Sequence, residues 1–430
     1  MLRAIIPPRM TTSLPRELFA TLFRPALLPL LAVVALLPFG RSAEAGVVLA
    51  LAGCALLLRR QPELRHEWRT GSLFLLLWAC YTAAALFSCF DSVNPDKSWS
   101  TVLAALRLLP LGIYAALVLP RPGHGRWLAD GVALFLLLWL VDAWVQALTG
   151  WSLGGLPEAE RVSGIFGNDN LKLGPVLATL SPFLLHSARE RWGRRGLLLA
   201  FLLVLGPVLL AGSRASWLAF GLVALVFLWR ETRRPAQFLA WCLALGLGAA
   251  AAVGVAWYSS AAFDARMDRT LLALNGSGGE VDFALAGRSR IWHTAAAMIQ
   301  AHPLNGVGVR GFRYAYFHYA APGDAFVQAD GLGAAHAHQW ILEVLSETGV
   351  LGLLLWFGGI ALALRAWRAA TAAAREAAFV PGLCLIAMAF PLNTHLAFYS
   401  AWWGLLFWWL IALYCAALRG EHESRANSHA

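Results

Sequence analysis

Long apolar runs alternate with short polar ones along the chain. Runs near 25–39, 45–58, 71–90, 99–119, 127–149, 170–186, 195–212, 215–229, 236–257, 350–367, 376–396 and 397–418 stand out. A helix needs roughly 20 apolar residues to cross a bilayer core, so the pattern predicts an all-α integral membrane protein with about twelve transmembrane helices. The runs 45–58 and 215–229 are short for a crossing, and 376–418 is one apolar stretch interrupted by Pro391, Asn393 and His395. A single long polar segment, 258–337, breaks the alternation. The chain thus divides into helices 1–9 over 1–257, a loop with helices of its own over 258–349, and helices 10–12 with a short tail over 350–430.

Composition agrees: 59% of the residues are hydrophobic and 13% charged, with a mean hydropathy of +0.62. A soluble domain carries about 25% charge, so this chain cannot cover a water-facing surface. The net charge of +10 would point to nucleic acid if it were spread evenly, but it is sorted by loop. The termini and even-numbered loops hold 22 of the 34 Lys and Arg residues, including Arg59, Arg60, Arg189, Arg191, Arg194, Arg230 and Arg375. The short odd-numbered loops hold only Arg41, Lys97, Arg161 and Arg214. By the positive-inside rule both termini are cytoplasmic and 258–337 lies outside. Nucleic acid is not an expected partner; membrane lipids are. The first run ends in Ser42-Ala-Glu-Ala45, small residues of the kind found at signal-peptide cleavage sites, but its leader is unusually long and a retained span is expected.

Water-exposed chemistry must then concentrate in the outer loops. The long loop balances Arg266, Arg269, Arg288, Arg290, Arg310 and Arg313 against six acidic residues, so specific placement matters more than net field. From Asp282 to Gln300 it reads as a helix of about five turns, with Arg288 and Trp292 on one face. If the helix instead starts near Gly287, its free amides and Arg288 together suit an anion. Arg214 lies in the tight turn Gly212-Ser213-Arg214, where an arginine either snorkels to headgroups or lines a polar cavity. Arg161 and the stretch Gly164-Ile-Phe-Gly-Asn-Asp-Asn170, with Asn168, Asn170 and Lys172, form a glycine- and asparagine-rich outer loop fit for a sugar or phosphate contact, or for a turn. His336-Ala-His338 closes the long loop. Gly349 breaks the pattern after it, so 338–348 reads as a short surface helix with His338 at its N-terminus, which disfavours imidazolium. No HExxH, paired-carboxylate or DxD pattern supports a metal, and no cofactor is expected. Within the spans, Arg107, Asp142, Asn393 and His395 should face the bundle interior, with Arg107 and Asp142 a candidate ion pair.

The segments Gly164–Asn170, Gly212-Ser-Arg-Ala215, Arg288-Ser-Arg-Ile-Trp292, His302-Pro-Leu-Asn-Gly-Val-Gly308, and His338 with Glu347-Thr-Gly-Val-Leu-Gly352, taken in this order, resemble the O-antigen ligase family and its polymerase relatives. The resemblance implies a membrane-embedded glycosyltransferase of the GT-C kind, with its active site at the periplasmic face of a Gram-negative inner membrane. It implies O-antigen on undecaprenyl diphosphate as donor and lipid A–core oligosaccharide as acceptor. It also implies Arg214 and Arg288 for the donor diphosphate and His338 for catalysis. Arg161 and Arg290 are added by proximity, and Asn168, Asn170, Lys172 and His336 as weaker substrate contacts. The alternatives are a polymerase or a protein O-oligosaccharyltransferase using the same donor, and, from another class, a transporter or flippase. The last should show inverted repeats, and none is visible.

Overall fold

The computed structural model describes residues 24–62, 64, 71–155, 161–167, 170–232, 234–259, 285–394 and 396–419, with the isolated positions 264, 265, 267, 268, 271 and 282. These fold as helix without strands. In chain order the α-helices are α1 (Leu28–Ala35), α2 (Ala45–Arg60), α3 (Ser72–Ser88), α4 (Pro95–Ala105), α5 (Leu109–Val118), α6 (His124–Thr149), α7 (Leu173–Leu210), α8 (Arg214–Glu231), α9 (Pro235–Ser259), α10 (Arg288–Ala301), α11 (Phe312–Tyr319), α12 (Trp340–Ala369), α13 (Ala372–Ala377), α14 (Phe379–Met388) and α15 (Ala401–Ala417). Among the described residues six helical segments are long and apolar enough to cross a membrane, and four apolar ones are shorter. Twelve crossings were expected from hydropathy.

Part of the difference lies in α7, a helix of 38 residues with Gly193 inside it at φ 65°, ψ −152°. That backbone region is open essentially to glycine alone. A straight helix of this length would run about 57 Å, yet a Cβ added to Gly174 would stand 3.0 Å from the Cβ of Ala211. The two ends of α7 therefore meet, and the helix doubles back at Gly193 into antiparallel arms. These are the two runs that the hydropathy pattern separates.

The basic loops gather where α7 turns. Arg189 and Arg194 both bind Glu231, at 2.5 and 3.0 Å, and Arg191 binds Asp130 at 2.6 Å. Arg230 binds Glu376 at 2.6 Å, Arg121 donates to Gln61, and Arg24 lies over the Trp127 ring. Each exposed pair contributes at most about 1 kcal/mol, but together they bring the even-numbered loops to one end of the bundle. Arg214 begins α8 and Arg230 ends it, so Arg214 is at the opposite end.

The axis is α15, buried on nearly every side, with α1, α3, α5 and α14 packed around it. A helix apolar all round belongs in a core. Two of its tryptophans find acceptors: Trp409 Nε1 donates to the Leu30 carbonyl at 3.0 Å, and Trp402 Nε1 to that of Leu37. The expected Arg107–Asp142 pair does not form. Arg107 stands 3.6 Å from Glu44 instead, while Asp142 Oδ1 accepts the Leu153 N–H at 2.8 Å. Asn393 caps the break between α14 and α15 by donating to the Met388 carbonyl; His395 lies outside the described residues.

A second, smaller core sits over the bundle, where α10 and α11 bury Ile291, Met298, Phe312 and Tyr316 against Val307 and Ala337. It is tied to α12 at Gly349, again a glycine-only conformation at φ 64°, ψ −167°. The helix opens there, and the loop after α10 inserts. Val350 and Leu351 donate to the carbonyls of Pro303 and Leu304, while Val307 and Gly308 donate to those of Ser346 and Glu347. A Cβ on Gly349 would fall on the Leu304 carbonyl. Gly349→Ala is thus expected to cost about 2 kcal/mol or more, seen as a lower melting temperature in detergent. An unchanged transition would mean that the inserted loop does not hold the break open.

Candidate active site

Four stretches, distant in sequence, meet at the end of the bundle that carries Arg214. The first is the turn between α7 and α8. Ser213 takes an extended conformation and its hydroxyl accepts the Ser216 N–H, an N-cap that starts α8 directly at Arg214. Arg214 is thereby fixed at the first helical position, half-buried.

The second stretch is the loop from 161 to 172. Two side chains of α6 organise it: Gln146 Oε1 accepts the N–H groups of Ser163 and Gly164, at 2.8 and 2.7 Å, and Asp142 holds Leu153. The Val162 N–H donates to the Leu210 carbonyl, which sets Arg161 beside the α7–α8 turn. Asn170 bridges the loop, accepting from the Lys172 N–H and donating to the Phe166 carbonyl. The Lys172 ammonium lies 4.6 Å from the centre of the Trp402 ring. A small cleft runs between Arg161, Asn170, Leu171 and Ala211. Asn168 lies outside the described residues.

The third stretch is the start of α10. The helix does not begin at Asp282: Ala286 and Gly287 both have positive φ, and the first helical residue is Arg288. Asp282 sits across this N-terminus, accepting from the Ser289 hydroxyl and pairing with Arg290 Nε at 2.9 Å. The anion at the helix terminus is therefore the chain's own carboxylate, and Arg290 is committed to it and exposed. Arg288 is different. Burial lowers its pKa, and the Arg214 and Arg161 guanidinium groups beside it lower it further. Three guanidinium groups from three loops converge, and no carboxylate among the described residues offsets them at Arg288.

The fourth stretch carries His338. The N-cap of α12 is Gln339, whose side chain accepts the Leu342 N–H, so His338 stands just before the helix rather than at its terminus. Its state is set by a hydrogen bond instead: Nδ1 lies 3.0 Å from the Thr394 carbonyl. A carbonyl can only accept, so Nδ1 carries a proton, and in the neutral ring the lone pair is on Nε2. His336 is buried beneath, its ring 4.0 Å from that of His338. Trp292, one turn after Arg288 on α10, donates Nε1 to the Ala337 carbonyl at 3.1 Å, which couples the arginine-bearing helix to the histidine.

The structure thus brings together Arg161, Arg214 and Arg288, and links Arg288 to His338 through Trp292. Sequence reasoning missed Thr394 and Gln146. Thr394 acts through its backbone carbonyl and so leaves no side-chain signal; a buried glutamine in a span, like Asp142 one turn before it, was the readable hint for Gln146. Among the described residues no group of three or more His, Cys, Asp or Glu side chains is placed to hold a metal ion.

No curated protein matches the chain. Residues 176–357 match the family model described as O-Antigen ligase, a stretch that includes Arg214, Arg288 and His338 but not Arg161. Over that segment the chain is similar to the O-antigen ligase family, a family of ligases and polymerases of the membrane glycosyltransferase type.

Proposed function

We propose that this protein is an O-antigen ligase, transferring polysaccharide from undecaprenyl diphosphate to lipid A–core oligosaccharide at the periplasmic face of the inner membrane. The observation that carries this is the convergence of Arg161, Arg214 and Arg288, with no carboxylate among the described residues to offset the charge at Arg288. A diphosphate leaving group gains negative charge as the glycosidic bond breaks, and fixed guanidinium forks stabilise it without a metal. His338, with its lone pair on Nε2, takes the proton of the acceptor hydroxyl, whose oxygen attacks the anomeric carbon and displaces the diphosphate, inverting the configuration. Arg290 belongs to the support of the α10 terminus rather than to the donor, because Asp282 engages it. Asn170 shares a cleft with Arg161, and Lys172, two positions on, lies over the Trp402 ring.

The topology that goes with this reading has twelve crossings and both termini in the cytoplasm. Counting the arms of α7 separately and including α8 brings the apolar helices to that number. The gathering of the basic loops at one end, with Arg214 at the other, agrees with it.

Polymerisation is the second reading, since the family includes polymerases and the donor chemistry is shared. Purified protein incubated with undecaprenyl-diphosphate glycan and EDTA, with either lipid A–core or a second donor as acceptor, separates the two. Transfer to lipid A–core, undiminished by EDTA, is expected. Transfer to the second donor alone would make the protein a polymerase, and loss of activity in EDTA would refute a metal-free mechanism.

A further inference from the structure

His338 has a backbone conformation that its side chain disfavours. Its φ is +53°, one of three non-glycine residues with positive φ among the described residues. A bulky side chain in this region is held there by its surroundings. Three contacts among the described residues bear on the peptide. Trp292 fixes the Ala337 carbonyl, Thr394 fixes the imidazole Nδ1, and the His338 N–H donates to Nδ1 of His336 at 3.2 Å. The last is the contact on the strained residue's own backbone, and it comes from a side chain that is 9% exposed.

We infer that His336 is a positioning residue: through Nδ1 it accepts the His338 N–H and holds that residue in the left-handed conformation that aims its imidazole. The inference rests on the reading of His338 as the base. His336 must then have its proton on Nε2, and its ring packs against the His338 ring at 4.0 Å, so one side chain fixes both backbone and ring plane. Nδ1 also lies 3.5 Å from Glu343 Oε2, a contact that is an ion pair only with a protonated ring. We assign Nδ1 to the shorter contact. Glu343 is fully buried and uses its other oxygen to accept the Tyr399 N–H. His336 is thereby removed from direct substrate contact, and its effect should fall on turnover rather than on binding.

The test compares His336→Asn, His336→Leu, His336→Ala and His338→Ala in the purified full-length protein, measuring kcat and donor KM with undecaprenyl-diphosphate glycan and lipid A–core. Asparagine places Oδ1 where Nδ1 stands and can accept the same N–H, so His336→Asn should keep kcat within about threefold of wild type. Leucine and alanine cannot accept it, and each should lower kcat by roughly 10- to 100-fold with KM within about twofold. The inference is overturned if leucine or alanine turns over at the wild-type rate, if KM rather than kcat moves, or if a folded His336→Asn falls tenfold or more. The asparagine result decides alone where the other two do not yield a monodisperse protein. His338→Ala keeps the readings apart. Full activity there removes the base itself, whereas an inactive His338→Ala beside a fully active His336→Leu removes only the positioning role.

Discussion

Arg288→Ala is expected to lower kcat for glycan transfer by roughly 100- to 1,000-fold, the loss seen when one pre-organised charge stabiliser is taken from a transition state. Its α10 neighbour Arg290, two positions on, should be nearly silent, within about threefold, because Asp282 engages it and it faces solvent. The contrast follows from the charge environment. Arg288 is depressed by burial and by two like charges, so its guanidinium is held at an energetic cost that a bound diphosphate relieves. Removing it should therefore leave the melting temperature of the ligand-free protein unchanged or higher, while weakening transfer. Arg288→Lys should rescue little, since a point ammonium lacks the fork that engages two phosphate oxygens at once. Equal losses from Arg288→Ala and Arg290→Ala, measured on the same preparation, would remove the reason for placing the diphosphate at the cluster.

How far the sequence reached can be judged from particular residues. Charge sorting was legible because it is a one-dimensional property: the loops carrying Arg24, Arg121, Arg191 and Arg230 meet at one end. The break at Gly349 was legible too, since a glycine between two apolar periodicities marks a stop. What inserts into that break was not. The motif His302–Gly308 and the motif Glu347–Gly352 were recognisable in order, but that one threads its backbone into the other depends on hydrogen bonds between carbonyls and amides that every residue has. The Arg107–Asp142 pairing failed because charge complementarity ignores depth. Glu44 was at the right level for Arg107, and a loop amide reached Asp142 first. The doubled-back α7 was read correctly as two runs, yet the turn at Gly193 is so tight that helical geometry continues almost through it. The start of α10 and the cap of α12 were each displaced, by Ala286 and Gly287 in one case and by Gln339 in the other, because helix ends are set by local competition among adjacent polar residues. Convergence of Arg161 on Arg288 depends on the buried Gln146 that pins the loop; a glutamine in a span was readable, but its partners, the Ser163 and Gly164 amides, were not.

His338→Ala should be the most damaging single change, lowering kcat by roughly 1,000-fold or more, with donor KM within a few-fold of wild type. General-base assistance contributes about 100- to 10,000-fold, and a sugar hydroxyl is too weak a nucleophile to do without it. Donor binding should persist because the guanidinium cluster is intact and lies on other loops. The tautomer argument sharpens the expectation. Thr394 offers only a carbonyl, so Nδ1 keeps its proton and Nε2 is the site that receives one from the acceptor. His338→Gln tests the proton directly: its amide can keep a hydrogen bond to Thr394 and yet takes no proton, so it should be as inactive as alanine. If glutamine restored transfer, His338 would be a hydrogen-bonding contact to the acceptor, and the base would have to be sought elsewhere on the outer face.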